Sequence, residues 1–305
     1  MTQVTTSTTR RPPGPLTRLL SSPQGLAGTV MVAVAVLVAV LAPLIAPHHF
    51  AATNFEAPFQ RPGTVGYLLG TDDLGRDILS RLIYGVRASL QIGLIAVGLA
   101  VVVGTPLGLL AGYSRAADAV ISRFTDVALA FPFLIIAVGL TAISGPSLAN
   151  AAIALGIAQV PVMLRVVRGE AMRLKNLEFV TAAHAMNASH PHILFRHALP
   201  NAASAIIVQA TVILPVAVIG EAVLSFLGLG IQPPSPSLGI MLADAQHYMY
   251  RSATAAIFPG LAIAYICLAF NLFGDALRDA LDPSTTTTTV RGPGLMKALW
   301  KGGRR

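Results

Sequence analysis

Four of the seven histidines in the chain lie in one polar stretch, residues 178–201. Imidazole can bind a metal ion or transfer a proton near neutral pH, so a metal site is one interpretation of the stretch. However, His190 and His192 would share a face only in an extended segment, and the residues around them favour helix. We therefore interpret the four residues as part of a polar docking surface: His184, His190, His192 and His197.

A second group of ionisable residues follows the first apolar segment and combines three aspartates with several arginines. Asp72, Arg76 and Asp77 lie within six consecutive positions, with Asp73 between them and Arg81 shortly after. Opposite charges this close in sequence predict a folded loop with internal salt bridges, while direct contact with a substrate is the alternative. The terminal Glu of a calcium-binding EF-hand loop is absent, so we predict no metal here.

Glu221 is the one acidic residue deep within an apolar segment. A charge inside a membrane is costly and indicates function by default, so Glu221 is a candidate for lining a translocation path. The preferred alternative is a bond to a neighbouring helix, because Pro215 and Gly220 leave backbone groups that need partners.

No arrangement of nucleophile and base is visible in the sequence, and His247 and Ser252 lack a convincing third residue. No Gly-rich loop ending in Gly-Lys-Ser or Gly-Lys-Thr is present. We therefore expect a non-enzymatic protein that binds neither ATP nor another cofactor itself, with an intramembrane hydrolase as the enzymatic alternative.

The composition is that of an integral membrane protein, with 54% hydrophobic and 11% charged residues and a mean hydropathy of +0.69. Soluble domains carry about 25% charged residues. The net charge of +8 does not indicate nucleic-acid binding, because the basic residues flank apolar segments. The single cysteine, Cys267, excludes a disulfide framework.

Six apolar segments exceed the ~18 residues that a spanning helix needs, so we predict an all-α membrane protein with six transmembrane helices. Small residues that recur in the second segment, at 93, 98, 104, 108 and 112, predict close helix packing. The segments cover residues 25–46, 88–111, 125–143, 148–167, 202–229 and 254–274.

The remaining residues form loops and tails. Residues 1–24 and the basic residues 284–305 are predicted to be disordered, the latter in contact with membrane lipid. The six-helix domain covers residues 25–283, and its first helix is predicted to be retained rather than cleaved. Its connections are 47–87, 168–201 and 230–253, and the last should contain a short helix over 239–247.

The distribution of Lys and Arg predicts the topology. With the N-terminus inside, 16 basic residues lie on the inner side of the membrane and 5 on the outer side. The positive-inside rule therefore places both termini and the 168–201 loop in the cytoplasm, with 47–87 and 230–253 outside. The expected location is the inner (plasma) membrane.

The loop 178–201 is predicted to contain a helix from about Thr181, a stop at Asn187, and a second helix from Pro191 to His197 that Pro200 ends. This pattern resembles the "EAA" loop of ABC importer permeases, a coupling helix that docks on the ATPase subunit. Thr181 replaces the usual Glu and Asn187 the usual Gly, but Asn is tolerated in left-handed turns. The resemblance implies ATPase coupling by Thr181, Ala182, Ala183, His184, Met186, Asn187, Ala188, Phe195, Leu199 and Pro200.

Four further stretches resemble the second permease of dipeptide, oligopeptide and nickel importers. They are residues 69–90, 108–132, 221–242 and 258–283, and Leu238 stands where that family usually has Trp. The resemblance implies a heterodimeric pore formed with a second permease, two ATPase subunits that use ATP and Mg²⁺, and an external solute-binding protein.

The implied cargo is a dipeptide or oligopeptide, with nickel, haem or another solute as alternatives. An ion-coupled secondary transporter is the other alternative. It should carry several ionisable residues in mid-membrane and repeated halves, whereas this sequence offers only Glu221.

Overall fold

The computed structural model describes residues 14–281, and regular structure within them is helical apart from two isolated bridges, Thr64 with Tyr67 and Thr71 with Asp77. The helices are α1 Pro15–Ser21, α2 Pro23–Ile45, α3 Ile78–Tyr113, α4 Arg115–Ala130, α5 Phe133–Ser144, α6 Leu148–Lys175, α7 Glu178–Ala185, α8 His190–Ile193, a π-helix Leu194–Ala198, α9 Leu199–Phe226, α10 Leu238–Gln246 and α11 Thr254–Leu281.

The prediction of an all-helical membrane fold is confirmed. Five helical runs in the described residues are long and apolar enough to cross a membrane: α2, α3, α6, His190–Phe226 and α11. The third predicted segment, 125–143, is not one straight helix, because α4 and α5 meet at 89° and count as a sixth span only together. The bend lies at Phe131 and Pro132, where the proline lacks an N–H and the residue before it is extended.

Helix α3 begins at Ile78, ten residues earlier than the apolar pattern predicts, so the loop predicted at 47–87 is shorter. The Asp77 side chain caps this helix by accepting a hydrogen bond from the Ser80 N–H at 3.0 Å. The loop predicted at 168–201 also narrows, because α6 continues to Lys175 and α9 begins at Leu199. The predicted short helix after the proline-rich connection is present as α10.

The interpretation of residues 1–24 as disordered is wrong for the part that the structure describes, where α1 and the start of α2 are helical. Leu19 is 5% exposed because it packs against Ala276 and Ala280 of α11. Residues 1–13 and 282–305, including the predicted tail 284–305, lie outside the described residues.

Helices α3 and α6 form the central pair of the bundle, and the predicted small residues are where they meet. A Cβ added to Gly108 would lie 2.7 Å from the Leu164 carbonyl oxygen, and one added to Gly112 would lie 2.5 Å from the Ala171 Cβ. Only glycine allows the two backbones to approach this closely. Two glycines of the series do not face α6: nothing lies within 4 Å of a Cβ added to Gly98, and one added to Gly93 would contact Leu214 and Val218 of α9 at 3.4 Å.

The 36 residues of α3 span about 54 Å and separate two ends of the molecule. Ile78, at the start of α3, packs against Met241 and Ala245 of α10, and we name this the α10 end. Tyr113, at the last residue of α3, packs against Val180 of α7, and we name this the α7 end.

Candidate functional site

Residues 176–198 form a compact bracket on the α7 end. Helix α7 ends in a Schellman motif, with Asn187 at φ +59° and the Ala188 N–H donating to the Ala183 carbonyl at 3.1 Å. The left-handed conformation predicted for Asn187 is therefore present. Ser189 then precedes α8, whose first turn contains Pro191, a position where a missing N–H costs nothing.

The second helix of the bracket does not end at Pro200, as the sequence pattern predicts. Helix α8 continues through a π-turn at Leu194–Ala198 into α9, and Pro200 lies in the first turn of α9. The wider π spacing, in which the Leu199 N–H donates to the Leu194 carbonyl, accommodates the missing donor of Pro200. The bracket is thus continuous with a spanning helix.

The bracket has a small core of its own. Val180, Ala183 and Ile193 are each at most 2% exposed and pack together, with Ala188 and Tyr113 against them. Ala183 therefore belongs to the interior of the bracket. Burial of these side chains fixes α7 against α8 and orients its outer surface.

The other predicted coupling residues divide between the surface and the contact with the bundle. Leu199 is half-buried against the core formed by α3, α6 and α9, and the backbone of His184 lies within α7. The exposed members include two large hydrophobic residues, Met186 at 77% and Phe195 at 66% exposure. The exposed set is Thr181, Ala182, Met186, Asn187, Phe195 and Pro200.

An open groove of about 610 Å³ lies beside this exposed surface. Its lining residues combine rings, a proline and a guanidinium: His192, Phe195, Arg196, His197 and Pro200. Three of the predicted histidines, His190, His192 and His197, contact other rings, such as His192 with His197 at 5.7 Å between centroids. Within residues 14–281, no group of three or more His, Cys, Asp or Glu is arranged to hold a metal ion.

Tyr113 connects the bracket to the bundle, and the sequence analysis missed it. Its hydroxyl lies 3.0 Å from Nδ1 of His190, in α8. Lys175, at the end of α6, donates to the Tyr113 carbonyl at 2.7 Å and places its ammonium 5.4 Å from the centroid of the ring. Tyr113 thereby joins the ends of α3 and α6 to the bracket. The available sequence signal was an aromatic residue at the end of an apolar segment.

The α10 end carries the second predicted group of residues, and its salt bridges are confirmed. Asp72 accepts hydrogen bonds from Arg76 Nε at 2.6 Å and from the Arg76 N–H at 2.9 Å. Arg76 and Arg81 both approach Asp244 of α10, at 3.6 and 3.7 Å. Asp72, Arg76 and Asp77 are at most 9% exposed, because they hold this loop onto α3 and α10.

Burial at this cluster also changes proton affinities. Partial burial raises the pKa of the Asp244 carboxyl, and Arg81 and Arg76 partly offset that rise by favouring its charged form. Burial raises the pKa of the neighbouring Tyr248 hydroxyl, and the nearby carboxylates of Asp72 and Asp73 add to the rise.

Glu221 is fully buried inside the bundle and bonds two helices together. Its carboxylate accepts hydrogen bonds from the Ser89 hydroxyl of α3 at 2.8 Å and from the Ser225 hydroxyl of α9 at 2.7 Å. This geometry supports the interpretation of Glu221 as a helix-bonding residue over the alternative of a path-lining residue.

Two family models match the sequence. One, described as "Binding-protein-dependent transport system inner membrane component", matches residues 104–287 and so includes α6, the bracket, α9 and α11. The other, described as "N-terminal TM domain of oligopeptide transport permease C", matches residues 16–62 and so includes α2. The bracket and the glycine-lined packing of α3 on α6 both lie within the first match.

Curated relatives match most of the chain. The dipeptide transport system permease protein DppC of Alkalihalophilus pseudofirmus is 44% identical over 84% of this chain and 84% of its own length. The protein of the same name from Haemophilus influenzae is 42% identical over 85% and 90% of the two chains. The glutathione transport system permease protein GsiD of Pectobacterium atrosepticum is 43% identical over 85% of both.

Among solved structures, an inward-facing MetNI methionine ABC transporter contains a chain with the same fold. It aligns with a TM-score of 0.55 and 21% identity over 66% of this chain and 96% of that chain. At this identity the match describes the fold alone.

Proposed function

Because this chain belongs to the binding-protein-dependent transport system inner membrane components, the multi-pass permease subunits of ABC importers, we propose that it carries dipeptides or short oligopeptides. Relatives at 42–44% identity are named for dipeptide and glutathione transport, and glutathione is itself a tripeptide. The chain would form half of the pore together with a second, different permease. An extracytoplasmic solute-binding protein would deliver the cargo.

The observation that carries the coupling role is the exposed surface of the bracket. Ala182, Met186 and Phe195 present apolar side chains to solvent beside an open groove, while the residues beneath them are packed. A short helix held rigidly with an exposed apolar face is suited to docking in a groove of another protein. The α7 end would face the cytoplasm, as the distribution of basic residues predicts.

Coupling would proceed through rigid contacts. Two ATPase subunits, which bind ATP and Mg²⁺, would move towards each other and displace the bracket. The movement would reach α3 through Tyr113, α6 through Lys175, and α9 through the continuous helix after Leu194. Displacement of these helices would open the pore alternately to the two sides of the membrane. This chain contributes no hydrolytic step.

The first test is the replacement of Ala182, which is exposed, by tryptophan. A large ring at the docking surface should prevent close approach of the ATPase without disturbing the core of the bracket. ATP-driven dipeptide uptake in proteoliposomes is expected to fall at least about tenfold, which corresponds to about 1.4 kcal/mol of lost coupling. The amount of permease in the membrane should not change.

The matched control is Leu16→Trp, at a position that is 71% exposed in α1 and distant in sequence from the bracket. Its uptake should equal that of the unmodified protein. Co-purification of the ATPase subunits with each tagged variant separates loss of docking from loss of transport. Uptake at the normal rate by the Ala182→Trp variant would exclude α7 as the coupling helix.

A further inference from the structure

A cavity of about 390 Å³ opens on the α10 end, on the opposite side of the molecule from the bracket. It lies between residues 84–91 of α3, the start of α6 and the segment after α9. Phe50 and Tyr84 form an aromatic wall, with their ring centroids 4.8 Å apart. Arg87 and Gln91 enter from α3 with a separation of one turn. Apolar walls with a few convergent polar groups are typical of small-ligand sites.

Arg87 differs from the other arginines in this part of α3 and the loop before it. Arg76 and Arg81 each lie near two or more carboxylates, including those of Asp72 and Asp244. No carboxylate lies within ion-pair distance of the half-buried Arg87 anywhere in residues 14–281. A guanidinium that lines a partly apolar cavity without a counter-ion can bind an anion, and its planar fork fits a carboxylate or a phosphate group through two parallel hydrogen bonds.

A second feature of the cavity favours the same charge. Ser147 and Leu148, at the N-terminus of the 28-residue α6, are among its lining residues. The positive end of a helix dipole attracts anions. The Ser147 hydroxyl accepts the Asn150 N–H at 3.0 Å, so the first turn of α6 is held in place beside the cavity.

We propose that this cavity is a subsite for the C-terminal carboxylate of the peptide cargo as it enters from the binding protein. Arg87 binds the carboxylate, the Gln91 amide bonds the adjoining peptide group, and Phe50 and Tyr84 pack against the cargo side chain. The inference rests on the proposed function for its cargo. Beyond that function, the inference assigns to Arg87, a residue of the permease itself, the discrimination between peptides with a C-terminal carboxylate and peptides without one.

The test is Arg87→Gln in the complete transporter, reconstituted with its binding protein, with Arg87→Lys as the conservative variant. Uptake of a free dipeptide should fall about tenfold in Arg87→Gln, the loss expected for one charge-assisted bond, and recover in part in Arg87→Lys. The matched control is Arg61→Gln, which removes the same charge from an exposed position on the same end.

Two further measurements distinguish a carboxylate subsite from other roles of Arg87. The dipeptide amide lacks the terminal carboxylate, so its uptake should be equal in Arg87→Gln and the unmodified protein. The affinity of the loaded binding protein for the transporter and the melting temperature should not change. A weaker binding-protein affinity would mean that Arg87 pairs with an acidic side chain of that protein, and would overturn the proposal.

A lipid phosphate could occupy the same site, and vesicle composition separates it from the peptide. If Arg87 binds a lipid headgroup, the variant should lose uptake of acid and amide alike, and only in vesicles that contain anionic lipid. Uptake of the free dipeptide within twofold of normal would also overturn the inference. Absence of dipeptide uptake by the unmodified transporter would instead contradict the proposed function, independently of Arg87.

Discussion

The two ends of α3 differ in which side chains they bury and which they expose. At the α10 end, Asp72 and Arg81 are at most 4% exposed and bonded within the chain. At the α7 end, the bracket exposes large apolar side chains, Met186 and Phe195, beside a groove lined by Arg196. The buried cluster around Asp72 therefore pairs opposite charges within the chain, while the α7 end leaves apolar surface uncovered.

This difference indicates which end depends on another protein for its final structure. Removal of one partner from a buried ion pair costs several kcal/mol of folding stability. The buried pairs at the α10 end therefore stabilise its structure without another protein. An exposed apolar helix gains free energy only when a partner covers it. We therefore expect mutations in the buried cluster of Asp72, Arg76 and Arg81 to act mainly on stability, and mutations at the α7 end to act mainly on coupled transport.

The largest expected effect is that of Asp72→Ala at the α10 end. Removal of this carboxylate leaves the buried Arg81 with Asp244 at 3.7 Å, and leaves Arg76 with Asp73 at 3.5 Å and Asp244 at 3.6 Å. The cost should be about 3–5 kcal/mol, as for other broken buried pairs. The measurement is the unfolding temperature of the purified permease in detergent, together with its level in the membrane.

Asp73→Ala is the matched control for Asp72, because Asp73 is 40% exposed and reaches Arg76 only at 3.5 Å. The Asp73→Ala substitution should lower the free energy of unfolding by less than about 1 kcal/mol, as is usual when an exposed ion pair is removed. Equal melting temperatures for the two variants would contradict the distinction between the ends, since the cluster would then not hold the loop.

The sequence predicts contacts within one segment better than contacts between segments. The pairing of Asp72 with Arg76 could be predicted because four residues separate them. Asp244, which completes the cluster, is more than 160 residues away along the chain, and only the tertiary fold brings it there. The same limit applies to Glu221 and Ser89, which lie 132 residues apart.

Helix ends were also difficult to predict, because hydropathy identifies apolar residues and not helical ones. Helix α3 begins ten residues early because Asp77 caps it, and the buried Ser80 and Arg81 follow in polar sequence. Helix α9 does not stop at Pro200, because the π-turn before it accommodates the missing donor. The Asn187 turn was predictable, because its backbone requirement is local.

A smaller effect on stability and a larger one on transport are expected at Tyr113, which links the bundle to the bracket. Tyr113→Ala removes the ring that packs on Val180 and Ala183, together with the hydroxyl near His190. ATP-driven uptake should fall about tenfold while the bundle stays folded, because the bracket then moves independently of α3. ATP hydrolysis should continue without matching transport.

The control for Tyr113 is Tyr250→Ala, since Tyr250 is fully exposed at the other end of the molecule. Tyr113→Phe removes only the hydroxyl. It should lower the free energy of unfolding by about 1 kcal/mol or less and retain most of the uptake. If Tyr113→Ala lowered the melting temperature as much as Asp72→Ala, the contrast between a self-supporting end and a docking end would not hold.

The smallest effect is expected at Asn187, where the requirement lies in the backbone alone. The left-handed conformation costs a residue other than Gly or Asn about 1–2 kcal/mol of conformational free energy, so Asn187→Ala should destabilise the end of α7. Asn187→Gly should keep normal uptake, and the turn should be at least as stable as it is with Asn. The stability of the turn is measured by hydrogen exchange at the Ala188 amide, which donates to the Ala183 carbonyl. Because Val180, Ala183 and Ile193 form a small core separate from that of the bundle, a loosened turn should reduce uptake severalfold while the melting temperature of the bundle stays constant. Equal exchange in the alanine and glycine variants would show that α7 is held by its partner alone.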